Sequence, residues 1–134
     1  MAETDQAAEQ PQGELSLRTL AMPADTNPAG DIFGGWIMAQ MDIAGGTHAL
    51  RRAGGRVATV AVEAMTMHKP VFVGDEVSCY SDLVRIGTTS LTVRVESWVR
   101  RKCIGPMIKV TSACFTFVAI DDNRKPRPVP PEGL

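Results

Sequence analysis

The sequence predicts an α+β domain in which an antiparallel sheet wraps around one long helix. Residues 33–53 carry apolar side chains at helical spacing, and four later stretches are rich in β-branched residues, which favour strands. In a fifth stretch, before the helix, Leu15, Leu17 and Thr19 alternate with polar residues, which also predicts a strand. No helical stretch separates the strands that follow the helix, so these strands are expected to pair antiparallel. The predicted strands are 15–22, 56–67, 76–86, 90–100 and 108–120.

The predicted helix is apolar over most of its circumference. Ile37, Met41, Ala44 and His48 form one stripe at i, i+4, i+7 and i+11. Further apolar residues extend this stripe, so we expect the helix to be largely buried, with His48 as a core residue. These residues are Trp36, Met38, Ile43 and Ala49. The Gly-Gly pair at 54–55 is expected to end it.

Composition fits one compact domain and excludes several classes of protein. The chain has 134 residues, of which 44% are hydrophobic, and a net charge of −1, without the basic excess typical of nucleic-acid-binding proteins. Its three cysteines lack Cys-x-x-Cys spacing, which disfavours a disulfide framework or a zinc ribbon. No apolar run approaches the about 20 residues of a membrane span, and the acidic start does not resemble a signal peptide. We therefore expect a cytoplasmic protein that binds neither nucleic acid nor membrane.

Polar segments flank the predicted domain. Residues 1–14 are acidic and poor in large apolar side chains, so we expect a disordered tail. Residues 121–134 contain four prolines, which predict an extended C-terminal tail. The folded domain is expected at 15–120.

Asp42 is the first candidate for chemistry. No residue three or four positions away on the helix has a charged or hydrogen-bonding side chain that could pair with Asp42. Two of these neighbours are Gly45 and Gly46. A buried carboxylate without a partner is costly, so Asp42 either faces solvent or serves a site. The glycines at 45–46 would let a ligand or another backbone approach the acid.

The start of the helix is the second candidate. Gly34 and Gly35 lie in the first turn, where backbone N–H groups lack intrahelical partners and no Cβ blocks an approaching oxyanion. The alternative is that the pair eases a tight entry into the helix after Asp31, which is expected to cap it. Asn27 could hold a water or a substrate amide, or form an ordinary Asn-Pro turn.

These candidates share one motif. Asn27, Gly30, residues 33–35 and Asp42 spell N-x-x-G-x-x-F-G-G-x-x-M-x-x-x-D. At this motif the sequence resembles the hotdog-fold acyl-CoA thioesterases, specifically the bacterial YciA-type enzymes. The resemblance continues through 56–65, Lys69-Pro70 and Val73-Gly74-Asp75, and it covers residues 15–120.

The resemblance implies a hotdog fold and hydrolysis of acyl-CoA to free acid and CoA. No metal or cofactor is implied, since CoA is part of the substrate. Asp42 would act as general base on water or as nucleophile, Asn27 would act from the opposite subunit, and the Gly35 N–H would polarise the thioester carbonyl. The active form would be a homodimer, with a trimer of dimers as a further assembly.

The resemblance also implies a set of substrate-binding residues. In the family, the hairpin turn after the third strand has a Gly-Arg-Ser-Ser-like sequence near CoA. Here Thr88 replaces that arginine, so Arg85 or Lys69 would supply a phosphate contact instead. The expected set is Gly34, Thr59, Lys69, Arg85, Gly87, Thr88 and Ser90.

Two other functions remain open. A hotdog dehydratase or hydratase would use a His–acid pair, so His48 or His68 would have to face Asp42. A non-catalytic acyl-CoA-binding module would keep the groove without turnover. A cysteine nucleophile would need a histidine partner, and the alternation of Cys79 and Cys114 with apolar residues favours packing instead.

Overall fold

Five strands form one antiparallel sheet in the order β1-β3-β4-β5-β2 in the computed structural model, which describes residues 9–132. The α+β architecture predicted from the sequence is confirmed, with one helix of 20 residues, α1, against the sheet. The elements are β1 (Glu14–Leu20), α1 (Gly34–Ala53), β2 (Val57–Glu63), β3 (Glu76–Ile86), β4 (Ser90–Arg100) and β5 (Ile108–Ala119).

One face of α1 packs closely on the sheet. The predicted stripe is confirmed for Ile37, Met41 and Ala44, which are buried in the main apolar cluster. A Cβ on Gly45 would lie 3.0 Å from Val95 Cγ2 and 3.3 Å from Phe117 Cζ. Gly45 therefore lets the helix approach the sheet and does not let a ligand approach Asp42, whereas Gly46 lines a cavity together with Asp42.

The opposite side of α1 is apolar but uncovered. Met38, Ile43 and Leu50 are 40%, 55% and 47% exposed, so the expectation of a largely buried helix is wrong for a single chain. Val60 and Val62 on the adjacent edge strand β2 are 57% and 38% exposed. Together these five side chains define what we call the α1–β2 surface.

Strand and helix limits follow the sequence closely, with two local differences. The strands predicted at 76–86 and 90–100 are confirmed. The strand predicted at 56–67 ends at Glu63, because Ala64 adopts a positive φ of 38° that strand geometry does not allow. Phe33, and not Asp31, is the N-cap of α1, and its side chain makes no capping hydrogen bond.

Both end segments contact the domain. Residues 1–8 and 133–134 of the expected tails lie outside the described residues. In the rest of the N-terminal segment, the Gln12 N–H donates a 3.1 Å hydrogen bond to Glu96 Oε1, and β1 begins at Glu14. Residues 120–130, which we call the C-terminal strap, turn back at 121–125, where the Asp121 N–H donates to Lys125 O at 2.9 Å and Ile120 pairs with Pro126. The expectation of an extended tail is therefore wrong for this part. The strap also bonds to the domain, for example from Val129 N–H to Thr88 O at 2.9 Å. No helix within residues 9–132 is long and apolar enough to cross a membrane.

Candidate active site

Asp42 lies on the side of α1 that faces β2. The Thr59 hydroxyl donates a 2.7 Å hydrogen bond to Asp42 Oδ1. The carboxylate is half-buried, and its second oxygen, Oδ2, accepts no hydrogen bond and meets no cation within the described chain. Oδ2 is therefore available to accept a proton from a water molecule.

Two cavities meet at the Asp42–Thr59 pair. The first has a volume of about 250 Å³, and the second a volume of about 290 Å³. The first is also lined by Gly35, Met38, Ala39, Val62 and Phe115, and the second by Ile43, Gly46, Thr47, Leu50, Val57 and Phe117. Because both open on the α1–β2 surface, a ligand that fills both must pass Asp42.

The start of α1 presents one free donor, the Gly35 N–H, to the first cavity. Within residues 9–132 no acceptor meets the N–H of Gly34 or Gly35, and a Cβ on either glycine would meet nothing within 4 Å. Seven residues along a helix place Gly35 and Asp42 on one face, about 10 Å apart along the axis. This distance nearly fits a line of four groups: the backbone donor, the substrate carbonyl, the attacking water and the carboxylate. Successive groups in such a line are about 3 Å apart.

Asn27 organises the loop that enters α1. Its Oδ1 accepts hydrogen bonds of 3.0 Å from the N–H groups of Ala29 and Asp31. This fixes the side chain and leaves its Nδ2 without an acceptor in the described part of the chain. Asn27 lines neither cavity at Asp42, so one subunit does not bring the two residues together.

The remaining predicted substrate residues fall into two groups. Lys69 and Gly34 line a third cavity, of about 330 Å³, beside the helix start. Gly87, Thr88 and Ser90 form the turn between β3 and β4, and Arg85 lies exposed just before it. Within one chain, Lys69 and the hairpin therefore do not form a single binding site.

The sheet register relates the β3–β4 hairpin to the Asp42 site. Ser90 pairs with Val118, and Val118 pairs with Ala58, the neighbour of Thr59. Because adjacent strands lie about 4.8 Å apart, the hairpin and Thr59 lie at the same end of the sheet.

Apolar side chains of the cavities were missed by the sequence reasoning. Met38, Val62 and Phe115 line the first cavity, yet none was singled out as a site residue. The available signal was the excess of apolar residues around α1, which was interpreted as burial. The same signal also indicates an exposed binding surface.

Neither histidine pairs with Asp42 in the described chain. His48 Nδ1 lies 2.7 Å from Ser81 Oγ and 3.6 Å from Glu14 Oε1, on the side of α1 that faces β1 and β3. His68 lines the cavity beside the helix start, which does not include Asp42. Within residues 9–132 the structure therefore offers no pair of a histidine with Asp42 for a dehydratase.

Neither a nucleophile at Cys79 nor a metal site is supported by the described residues. Burial raises the pKa of the Cys79 thiol to about 12, so it stays protonated at neutral pH and is a poor nucleophile. Within residues 9–132 no three His, Cys, Asp or Glu side chains are placed to hold a metal ion.

Known proteins resemble this chain over nearly its whole length. The thioesterase superfamily profile matches residues 29–102. The acyl-CoA thioester hydrolase YciA of Salmonella typhimurium is 56% identical over 126 residues, which cover 92% of this chain and 95% of that protein.

Two solved structures share the fold. A hexameric thioesterase of Yersinia pestis is 55% identical, with a TM-score of 0.87 over 91% of this chain and 99% of that chain. A hexameric hotdog fold thioesterase of Campylobacter jejuni is 43% identical, with a TM-score of 0.83 over 88% and 91% of the two chains. The expected hotdog fold is confirmed. This chain belongs to the thioesterase superfamily and, within it, to the hotdog-fold acyl-CoA thioester hydrolases of the YciA type.

Proposed function

We propose that this protein hydrolyses acyl-CoA thioesters to free carboxylic acids and CoA by attack of a water molecule that Asp42 activates. One observation carries the proposal: Asp42, Thr59 and Gly35 line the same cavity. That cavity combines a donor with the carboxylate it orients and a backbone N–H at a helix start, and within residues 9–132 neither Asp42 Oδ2 nor this N–H has a hydrogen-bond partner. These are a base and an oxyanion donor, the two groups that thioester hydrolysis requires.

The reaction follows from these groups. Asp42 Oδ2 takes a proton from water while the water oxygen attacks the thioester carbonyl carbon. Negative charge then develops on the carbonyl oxygen, where the Gly35 N–H and the positive end of the α1 dipole stabilise it. When the tetrahedral intermediate collapses, the C–S bond breaks and the sulfur takes the proton from Asp42, which releases the acid and CoA.

The active form is a homodimer in this proposal. One edge of β2 pairs with β5, while its other edge is unpaired within the described residues and lies beside the apolar α1–β2 surface. Pairing of β2 with its copy covers this edge and brings Asn27 of the partner subunit to Asp42. The hexameric relatives of Yersinia pestis and Campylobacter jejuni support a trimer of such dimers.

CoA lies at the Thr59 end of the sheet in this arrangement. The pantetheine arm follows the cavity between Ile43 and Val57, which leads from Asp42 towards the C-terminal end of α1. The side chains of Arg56 and Arg85, at the same end of the sheet, form no ion pair in the described chain. They are free to meet the CoA phosphates near the β3–β4 hairpin.

Thiol release from short-, medium- and long-chain acyl-CoA tests the activity. Asp42→Asn keeps the shape of the side chain and removes its basicity, so kcat should fall by about 10²–10⁴-fold. Asp82→Asn is the matched control, because Asp82 is exposed and lines neither cavity at Asp42. Absence of CoA release by the wild type, or equal rates for Asp42→Asn and the wild type, would contradict the proposal.

A further inference from the structure

The end of β5 and the C-terminal strap together hold the β3–β4 hairpin through two of the hairpin's carbonyl groups. The Ala119 N–H, directly before the strap, donates to Thr89 O at 2.8 Å, and the Val129 N–H donates to Thr88 O at 2.9 Å. The Val129 side chain also packs against the small buried cluster that contains Leu91. The strap therefore contributes one backbone hydrogen bond and the packing of Val129 to the position of the hairpin.

Arg127 ties the strap to the end of α1. Its Nη2 donates to Ala53 O at 3.0 Å, and its Nε donates to Ile120 O at 3.1 Å. Ala53 O is one of the last helix carbonyls, which lack intrahelical donors and carry the negative end of the helix dipole. One guanidinium thus links the first residue of the strap to the helix.

Gly55 leaves the space that this guanidinium occupies. A Cβ on Gly55 would lie 2.8 Å from Arg127 Nη2, which is too close for contact. Since Nη2 is the end of a flexible side chain, an alanine at this position would push the guanidinium away from Ala53 O while leaving the strap sequence intact.

We propose that Arg127 is a positioning residue for CoA binding: it fixes the strap, and the strap fixes the hairpin where the CoA nucleotide binds. The inference rests on the proposed function, which puts CoA at this end of the sheet. Arg127 lines none of the cavities at Asp42. Its loss should therefore weaken binding of the nucleotide and leave the chemical step unchanged.

The test compares acyl-CoA with the same acyl thioester of N-acetylcysteamine, which lacks the nucleotide. Arg127→Met and Gly55→Ala should each raise KM for acyl-CoA about tenfold with kcat within twofold of wild type. Their kcat/KM for the truncated thioester should stay within twofold of wild type. CoA affinity, measured by calorimetry, should fall about tenfold in both variants.

Arg124→Met is the matched control. Arg124 is exposed in the same strap, and its side chain makes no hydrogen bond or ion pair in the described chain, so this variant removes a charge without releasing the strap. Its KM for acyl-CoA and its affinity for CoA should match wild type.

Three results would overturn the positioning role: an unchanged KM for acyl-CoA, an equal loss on both thioesters, or an equal effect of Arg124→Met. Failure of the wild type to release either thiol would instead contradict the proposed function. CoA calorimetry on the variants would still test the role of Arg127 in that case.

Discussion

Thr59 Oγ1 and Asp42 Oδ1 lie 2.7 Å apart and join the edge strand β2 to α1 by a hydrogen bond. The bond uses one carboxylate oxygen and leaves the other open to the cavities on either side. Thr59 therefore orients the carboxylate that the proposed mechanism uses as a base.

Thr59→Val should lower kcat about tenfold. The valine keeps the shape of the side chain but cannot donate to Asp42, and a hydrogen bond to a charged group contributes about 1.5–3 kcal/mol. Thr59→Ser, which retains the hydroxyl, should stay within threefold of wild type. The measurement is kcat by thiol release, and equal rates for the valine and serine variants would remove Thr59 from the mechanism.

Mixed dimers test whether Asn27 and Asp42 of different subunits share a site. If they do, a heterodimer of Asn27→Ala and Asp42→Ala chains carries one intact site and one doubly altered site. Activity should then partly return when the two inactive proteins are mixed and exchange subunits. Subunit exchange is confirmed by mass spectrometry, and exchange without recovery of activity would contradict a shared site.

Gly35→Val tests the oxyanion donor. A Cβ at this position would meet nothing within 4 Å in the described residues, so the fold should persist while the approach of the thioester carbonyl is blocked. We expect kcat to fall by about 10²-fold or more, the effect of losing one oxyanion donor. CoA lacks the acyl carbonyl and should bind this variant as it binds the wild type, as calorimetry can show. A matching loss of CoA affinity would make Gly35 a packing residue.

Glu96 should make stability depend on pH. Burial raises the pKa of its carboxyl, but hydrogen bonds from Arg94, Trp98 and the Gln12 N–H outweigh burial and hold the pKa below its usual value. The ionised form therefore stabilises the fold above the unfolded-state pKa of about 4.3, and this stabilisation is lost as pH falls through the lower folded-state pKa.

Glu96→Gln should thus destabilise the protein by about 1–3 kcal/mol at pH 7. The difference from wild type should shrink below pH 4, where the wild-type carboxyl also becomes protonated. Thermal unfolding over a pH series measures this difference in stability. Glu132→Gln is the control, because Glu132 is exposed. A difference that does not change with pH would show that the charge of Glu96 is not what stabilises the fold.

Local patterns in the sequence determined the secondary structure and the chemistry of the motif. The helical stripe through Ile37, Met41 and Ala44 and the strand limits at 76–86 and 90–100 depend on spacing between near neighbours. The motif from Asn27 to Asp42 also lies within one short segment, so its resemblance to the family could be read directly.

Only the tertiary structure determined which distant parts of the chain contact these elements. Periodicity shows which residues share a face of α1 but not which face the sheet covers, and so Met38 and Ile43 were expected to be buried. The Thr59–Asp42 bond joins residues 17 positions apart, and the Arg127–Ala53 bond joins residues 74 positions apart. Such contacts depend on strand register and on the path of the strap, because side chains distant in sequence meet only when the whole sheet has formed around the helix.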